Sequence, residues 1–170
     1  MLRLSLSALI SFQEIPQLIQ VAQSSVTRVL LAEGSPSDVR LIRYALSGEQ
    51  TWPTETTVVE DGEQAIRLLE SENPANQQFR TNLLILDLDL PRRNATEVLQ
   101  FVRSHGALQQ LPVVILSSLP EEVMIRRVSR AGVRADGYFT KPQGVLGYLG
   151  LGPRLRQCYE TRQMANYAFR

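Results

Sequence analysis

The apolar run Leu83-Leu84-Ile85-Leu86 constrains this chain more than any other feature. No polar residue alternates within it, so a strand formed here must be covered on both faces. That is the position of an inner strand in a parallel sheet flanked by helices. Asp87 ends the run, and Leu88-Asp89-Leu90-Pro91 follows. A carboxylate at the carboxyl end of such a strand stands where open α/β sheets bind their ligands.

The rest of the chain supports a β-α alternation. Arg28 to Ala32 reads as a first strand, and Ser35-Pro36-Ser37-Asp38 opens a helix as a near capping box. Val39, Ile42 and Leu46 give that helix an apolar face. Thr54 to Glu60 is β-branched and predicts strand two, after which Asp61 with Gln64 starts helix two. Leu83 to Asp87 is strand three. Asn94 with Glu97 caps helix three, whose Ala95, Val98, Leu99 and Val102 keep helical spacing. Strand four spans Pro112 to Leu116, Ser118 with Glu121 is expected to cap helix four, and Asp136 to Thr140 is a short fifth strand. Glycines 144, 147, 150 and 152 precede Pro153. They predict a broken segment to about residue 152 and then a helix to about Asn166. The resulting division is an extension over 1–25 with a short amphipathic helix, a domain over 26–146, and an atypical fifth helix and tail over 147–170.

Charge and composition exclude several functions. Basic and acidic residues nearly balance, 18 against 17, without a dense basic tract, so no nucleic-acid partner is expected. No stretch reaches the roughly 18 apolar residues of a membrane span. Cys158 is the single cysteine, which rules out an intrachain disulfide and suits a reducing, cytoplasmic setting.

Leu30-Leu31-Ala32-Glu33, Leu84 to Pro91, Val113-Val114-Ile115-Leu116-Ser117 and Tyr138-Phe139-Thr140-Lys141-Pro142 together resemble a response-regulator receiver domain. The helix starts Ser35 to Leu41 and Glu60 to Ala65 match as well. The closest likeness is to stand-alone receivers paired with phytochrome-type histidine kinases, over about residues 27–142. The resemblance implies a flavodoxin-like α/β/α fold with five parallel strands in the order 2-1-3-4-5. It places Asp87 on the phosphoacceptor, Ser117 and Lys141 on the phosphate-binding residues, and Tyr138 on the aromatic switch. It places Asp89 on a backbone carbonyl that faces magnesium, and Pro142 on a proline that usually follows a cis bond. Glu33 and Asp87 would be the charged Mg²⁺ partners. The chemistry suits these types: a carboxylate can accept a phosphoryl group, and cations and donors must meet its oxygens.

Two positions depart from the family. Gly34 stands where a second acid belongs, which weakens the expected Mg²⁺ site. As a residue by itself it reads as a turn glycine at positive φ. Arg92-Arg93-Asn94-Ala95 has alanine where glycine is usual. Two readings stay open: a receiver still phosphorylated on Asp87, or a phosphorylation-independent pseudo-receiver acting as an adaptor. A third derives from Asp87-Leu88-Asp89, which resembles the Asp-x-Asp motif of haloacid-dehalogenase phosphatases. There the later acids would be Glu121 and Glu122. The expected role is signalling rather than enzymatic. A histidine kinase or phosphotransfer protein and a downstream protein are the expected partners, and self-association as a homodimer stays open. His105 reads as a surface residue at the end of helix three, where a cation suits the helix dipole.

Overall fold

The computed structural model describes residues 26–48, 52–72 and 80–168; the expected extension over 1–25 lies outside them. Five strands alternate with helices: β1 (Thr27–Ala32), α1 (Pro36–Ser47), β2 (Thr54–Val59), α2 (Gly62–Ser71), β3 (Leu83–Asp87) and α3 (Ala95–Ser104). β4 (Val113–Ser117), α4 (Glu121–Arg130), β5 (Gly137–Thr140), α5 (Gly144–Leu149) and α6 (Leu151–Ala168) complete the order. All strand pairs are parallel, in the order β2-β1-β3-β4-β5. The expected flavodoxin-like topology is therefore present. No helix among the described residues is long and apolar enough to cross a membrane.

The sheet separates two cores because successive side chains point to opposite faces. Leu30, Leu84, Leu86, Val113 and Ile115 pack with Ala65 and Leu69 of α2, Val98 and Val102 of α3, and Met124 and Val128 of α4. On the other face Val29, Leu31, Leu83, Ile85 and Val114 meet Ile42 and Leu46 of α1, Tyr148 of α5, and Leu151 and Leu155 of α6. The segment over 147–170, set apart in the sequence, thus contributes buried side chains to the second core. Cys158 is half-buried beside Asp136, and burial, then the Asp136 charge, pushes its thiol up to about 11. It is an unreactive packing residue.

Several local expectations are met and several are corrected. Ser35 accepts from the Asp38 backbone, Asp61 from that of Gln64, and Asn94 with Glu97 closes a full capping box. The Ser35–Asp38 box stays half-made: the Ser35 N–H donates to Glu33 Oε1 (2.9 Å), and the Asp38 carboxylate is drawn elsewhere. The box expected from Ser118 and Glu121 does not form. Pro120 is the N-cap without a side-chain bond, so Glu121 sits too early to reach back and pairs with Arg154 at 3.1 Å. α6 begins at Leu151 rather than Pro153; the proline lies in the first turn, where a missing N–H breaks no intrahelical bond. No cis peptide bond occurs among the described residues, so the Lys141–Pro142 bond is trans, the lower-energy form even before proline. Gly34 is also corrected, since positive φ belongs to Gly132 and Gly144 instead. Its constraint is spatial, because a Cβ there would stand 3.3 Å from the Glu60 carbonyl oxygen.

The loop after β3 is clamped against the start of α2. Arg92 adopts φ 63°, and the Arg93 N–H donates to the Pro91 carbonyl at 2.7 Å across it. Arg92 also pairs with the buried Asp61 carboxylate at 2.9 Å. Gly62 makes this approach possible, since a Cβ would fall 1.9 Å from the Arg93 carbonyl oxygen. Burial by itself would raise the Asp61 pKa; the Gln64 N–H, the Gln64 side chain and Arg92 outweigh it and hold the carboxyl below its usual range.

Gly62→Ala should destabilise the domain by about 1–3 kcal/mol through overpacking, measured by urea denaturation. A pH prediction follows from Asp61. Its folded pKa lies below the unfolded value, so its stabilisation is present above the ordinary carboxylate pKa and is lost as pH falls through the folded one. Asp61→Asn should therefore lower stability at neutral pH and flatten the acid limb of a stability–pH curve below about pH 4.

Candidate functional site

Register brings the site together. Ala32 pairs with Leu86, and Asp87 pairs with Leu116, so Glu33, Asp87 and Ser117 emerge side by side at the carboxyl edge. Ser117 pairs in turn with Thr140. Lys141 follows Thr140, and its N–H donates to the Ser117 carbonyl at 2.7 Å. Parallel pairing puts all of these chain ends on one edge.

Lys141 is the centre of the cluster. Its ammonium lies 2.7 Å from Glu33 Oε2, 2.8 Å from Asp38 Oδ2 and 3.2 Å from Asp87 Oδ1. Its side chain is 10% exposed, Glu33's is 2%, Asp87's is 18% and Asp38's is 27%, so the two aspartates reach solvent while Glu33 and Lys141 are largely enclosed. Burial raises the Glu33 pKa against the lowering contacts from Lys141 and the Ser35 N–H. Burial alone would lower that of Lys141, but bonds to Asp38 and Glu33 and the Asp87 charge hold it well above the usual value. Tyr148 of α5 packs beside the cluster, and burial, then the Asp38 charge, raises its phenol.

The other candidate residues are placed as follows. Ser117 is buried and its Oγ accepts from the Leu119 N–H at 3.2 Å, while Thr140 Oγ1 donates to the Leu119 carbonyl at 2.9 Å. The hydroxyl thus sits one strand from Asp87, engaged with the loop after β4. Tyr138 is half-buried, packs against the core under α3 and α4, and accepts from the Ala135 N–H at 3.0 Å. The Asp89 side chain turns outward to Arg127 at 2.7 Å. His105 caps α3 at the opposite end of that helix from the Asp87 loop, with Nδ1 3.1 Å from the Phe101 carbonyl.

Asp38 is the residue the sequence reading missed as part of the site, because its place in the first turn of α1 read as capping. One signal was available. Of the 18 basic residues every other one is arginine, and Lys141 is the chain's only lysine. A compact ammonium donates three hydrogen bonds in a small space, which a planar guanidinium does not.

The arrangement suits an ammonium better than a metal. Glu33 spends both oxygens on Ser35 and Lys141, Asp38 and Asp87 face the same amine, and Gly34 offers no ligand. Among the described residues no group of three His, Cys, Asp or Glu side chains is disposed to hold a metal ion. As placed, the Glu33 and Asp87 carboxylates, the expected charged Mg²⁺ partners, are turned onto the Lys141 amine. What remains is a partly exposed carboxylate beside a fixed cation, a pairing able to attack phosphorus and steady its oxygens. The phosphatase reading loses ground. Asp87-Leu88-Asp89 ends the third strand, and Glu121 is committed to Arg154 on α6.

Comparison with known proteins agrees with this geometry. The family model for the response regulator receiver domain matches residues 29–145. Response regulator Rcp1 of Synechocystis sp. is 33% identical over 117 residues, covering 69% of this chain and 78% of that protein. The crystal structure of the phosphorylated cyanobacterial phytochrome response regulator RcpA is similar with a TM-score of 0.67 and 28% identity, over 79% of this chain and 94% of that one. The Mn²⁺-bound form of Rcp1 is similar with a TM-score of 0.63 and 26% identity, over 76% and 91% of the two chains. With the strand order, the acid at the end of β3 and the lysine after β5 in place, the chain belongs to the response-regulator receiver family.

Proposed function

We propose that this receiver accepts a phosphoryl group on Asp87 from the phosphohistidine of a histidine kinase or phosphotransfer protein. The phosphorus–nitrogen bond of the donor breaks as a phosphorus–oxygen bond to Asp87 forms, and the imidazole leaves with the electron pair. Lys141 meets the charge on the phosphoryl oxygens, and the Ser117 hydroxyl turns from its loop to donate a hydrogen bond. Leaving that loop frees Tyr138 to change rotamer, which presents a new surface to a downstream protein or a second copy of the chain. The observation that carries this reading is the 3.2 Å contact between Lys141 Nζ and the solvent-reachable Asp87.

The related structures include a manganese-bound receiver. Here the divalent-cation site is proposed to be weak, since Gly34 supplies no carboxylate. The domain acts in this reading as a phosphoacceptor in the cytoplasm and not as an enzyme with a substrate of its own. A second reading, the phosphorylation-independent adaptor, draws on the same glycine and on the closed Lys141 cluster.

Labelling with a small phosphodonor such as phosphoramidate separates the two. The wild-type chain should take up one phosphoryl group, Asp87→Asn none, and Lys141→Met should label about a hundredfold more slowly. A wild-type chain that never labels would establish the adaptor instead. Gly34→Asp should tighten Mg²⁺ binding in a calorimetric titration, with Glu60 yielding slightly to the new Cβ; an unchanged isotherm discards the glycine as the cause of weakness.

A further inference from the structure

Three acids meet one amine here, and the third is not supplied by a strand end. Asp38 reaches the pocket from α1, at 2.8 Å from Lys141 Nζ, closer than Asp87 at 3.2 Å. A short set of hydrogen bonds runs beneath it. Glu33 Oε1 accepts from the Ser35 N–H, and Ser35 Oγ accepts from the Asp38 N–H. The first turn of α1 is thereby tied to the end of β1. An ammonium has three hydrogens to donate, and Glu33, Asp38 and Asp87 provide three acceptors.

We propose that Asp38 is a positioning residue that holds the chain's only lysine over Asp87. Asp38 acts through Lys141 and not on the reacting atoms. A flexible lysine tail loses about 2 kcal/mol of rotamer freedom when fixed, so an anchor beyond the reacting carboxylate is needed to keep it placed. Asp38 is 27% exposed at the mouth of the cluster, whereas Glu33 is almost fully buried. Against the lowering effect of burial, Asp38 leads the acids that raise the pKa of Lys141. The proposal rests on Asp87 as phosphoacceptor for its functional consequence, but not for its geometry.

The single lysine makes the test direct. Chains labelled with ¹⁵N at the lysine side chain give one ammonium signal, from Lys141. In the wild-type protein its protons should exchange slowly enough to be observed; Asp38→Asn should abolish that signal, and Asp38→Glu should keep it. Ser35→Ala removes the cap but leaves the Asp38 carboxylate, and should also keep it. A signal that survives Asp38→Asn, or one that vanishes equally in Ser35→Ala, overturns the proposal. In phosphoramidate labelling, Asp38→Asn should slow the rate about tenfold in the Lys141 chain and have no further effect in Lys141→Met. An equal loss in both backgrounds also overturns it, since Asp38 would then act independently of the lysine. If no chain labels at all, the phosphoacceptor reading fails while the ammonium signal still decides the role of Asp38. Thermal melts of each variant confirm that the comparison is among folded chains.

Discussion

One ammonium among three carboxylates is the interaction on which this site depends. Like charges about 4 Å apart repel by about 4 kcal/mol per pair even at an effective dielectric near 20. Glu33 is buried enough that its ionised form is disfavoured, and Asp87 must stay ionised to act as a nucleophile. Lys141 makes the three compatible. It also ties β5 to β1, β3 and α1 through side chains, in addition to the hydrogen bond between its own N–H and Ser117. The cluster is therefore both the chemical site and a junction between four elements.

A second junction holds the loop beside it. Arg92 occupies the left-handed region, where a residue with a Cβ is strained, and a buried acid at the start of α2 keeps it there. Gly62 lets the two backbones approach. Alanine at position 95 does not disturb this arrangement, because α3 starts there under a complete capping box from Asn94 and Glu97. The departure from the family pattern is absorbed as ordinary helix.

How legible the chain is depends on the range of the interaction. Inner strands could be read from Leu83–Leu86 and Val113–Leu116, since two-sided burial leaves no place for polar residues. Asn94 with Glu97, and Asp61 with Gln64, were readable as caps because a cap is satisfied within three residues. Ser118 with Glu121 carried the same pattern and failed, because Pro120 moved the helix start and Arg154, far along the chain, offered Glu121 a better partner. By its sequence Gly34 is a conformational glycine, yet what limits it is the approach of the Glu60 carbonyl from the next strand's end. No local pattern contains that atom.

The sequence alone determined the layers, the strand order implied by the family motifs, and the acid, alcohol and amine at three strand ends. It could do so because burial and local hydrogen bonding are written into periodicity and spacing. Only the tertiary structure decided what those groups touch: that Asp38 leaves its helix cap to hold Lys141, that the carboxylates face an amine, and that Tyr138 bonds to Ala135. The physical reason is that a charged side chain takes the best counter-charge in space, and Asp38 and Lys141 become neighbours only when the parallel sheet brings β1 and β5 to the same edge.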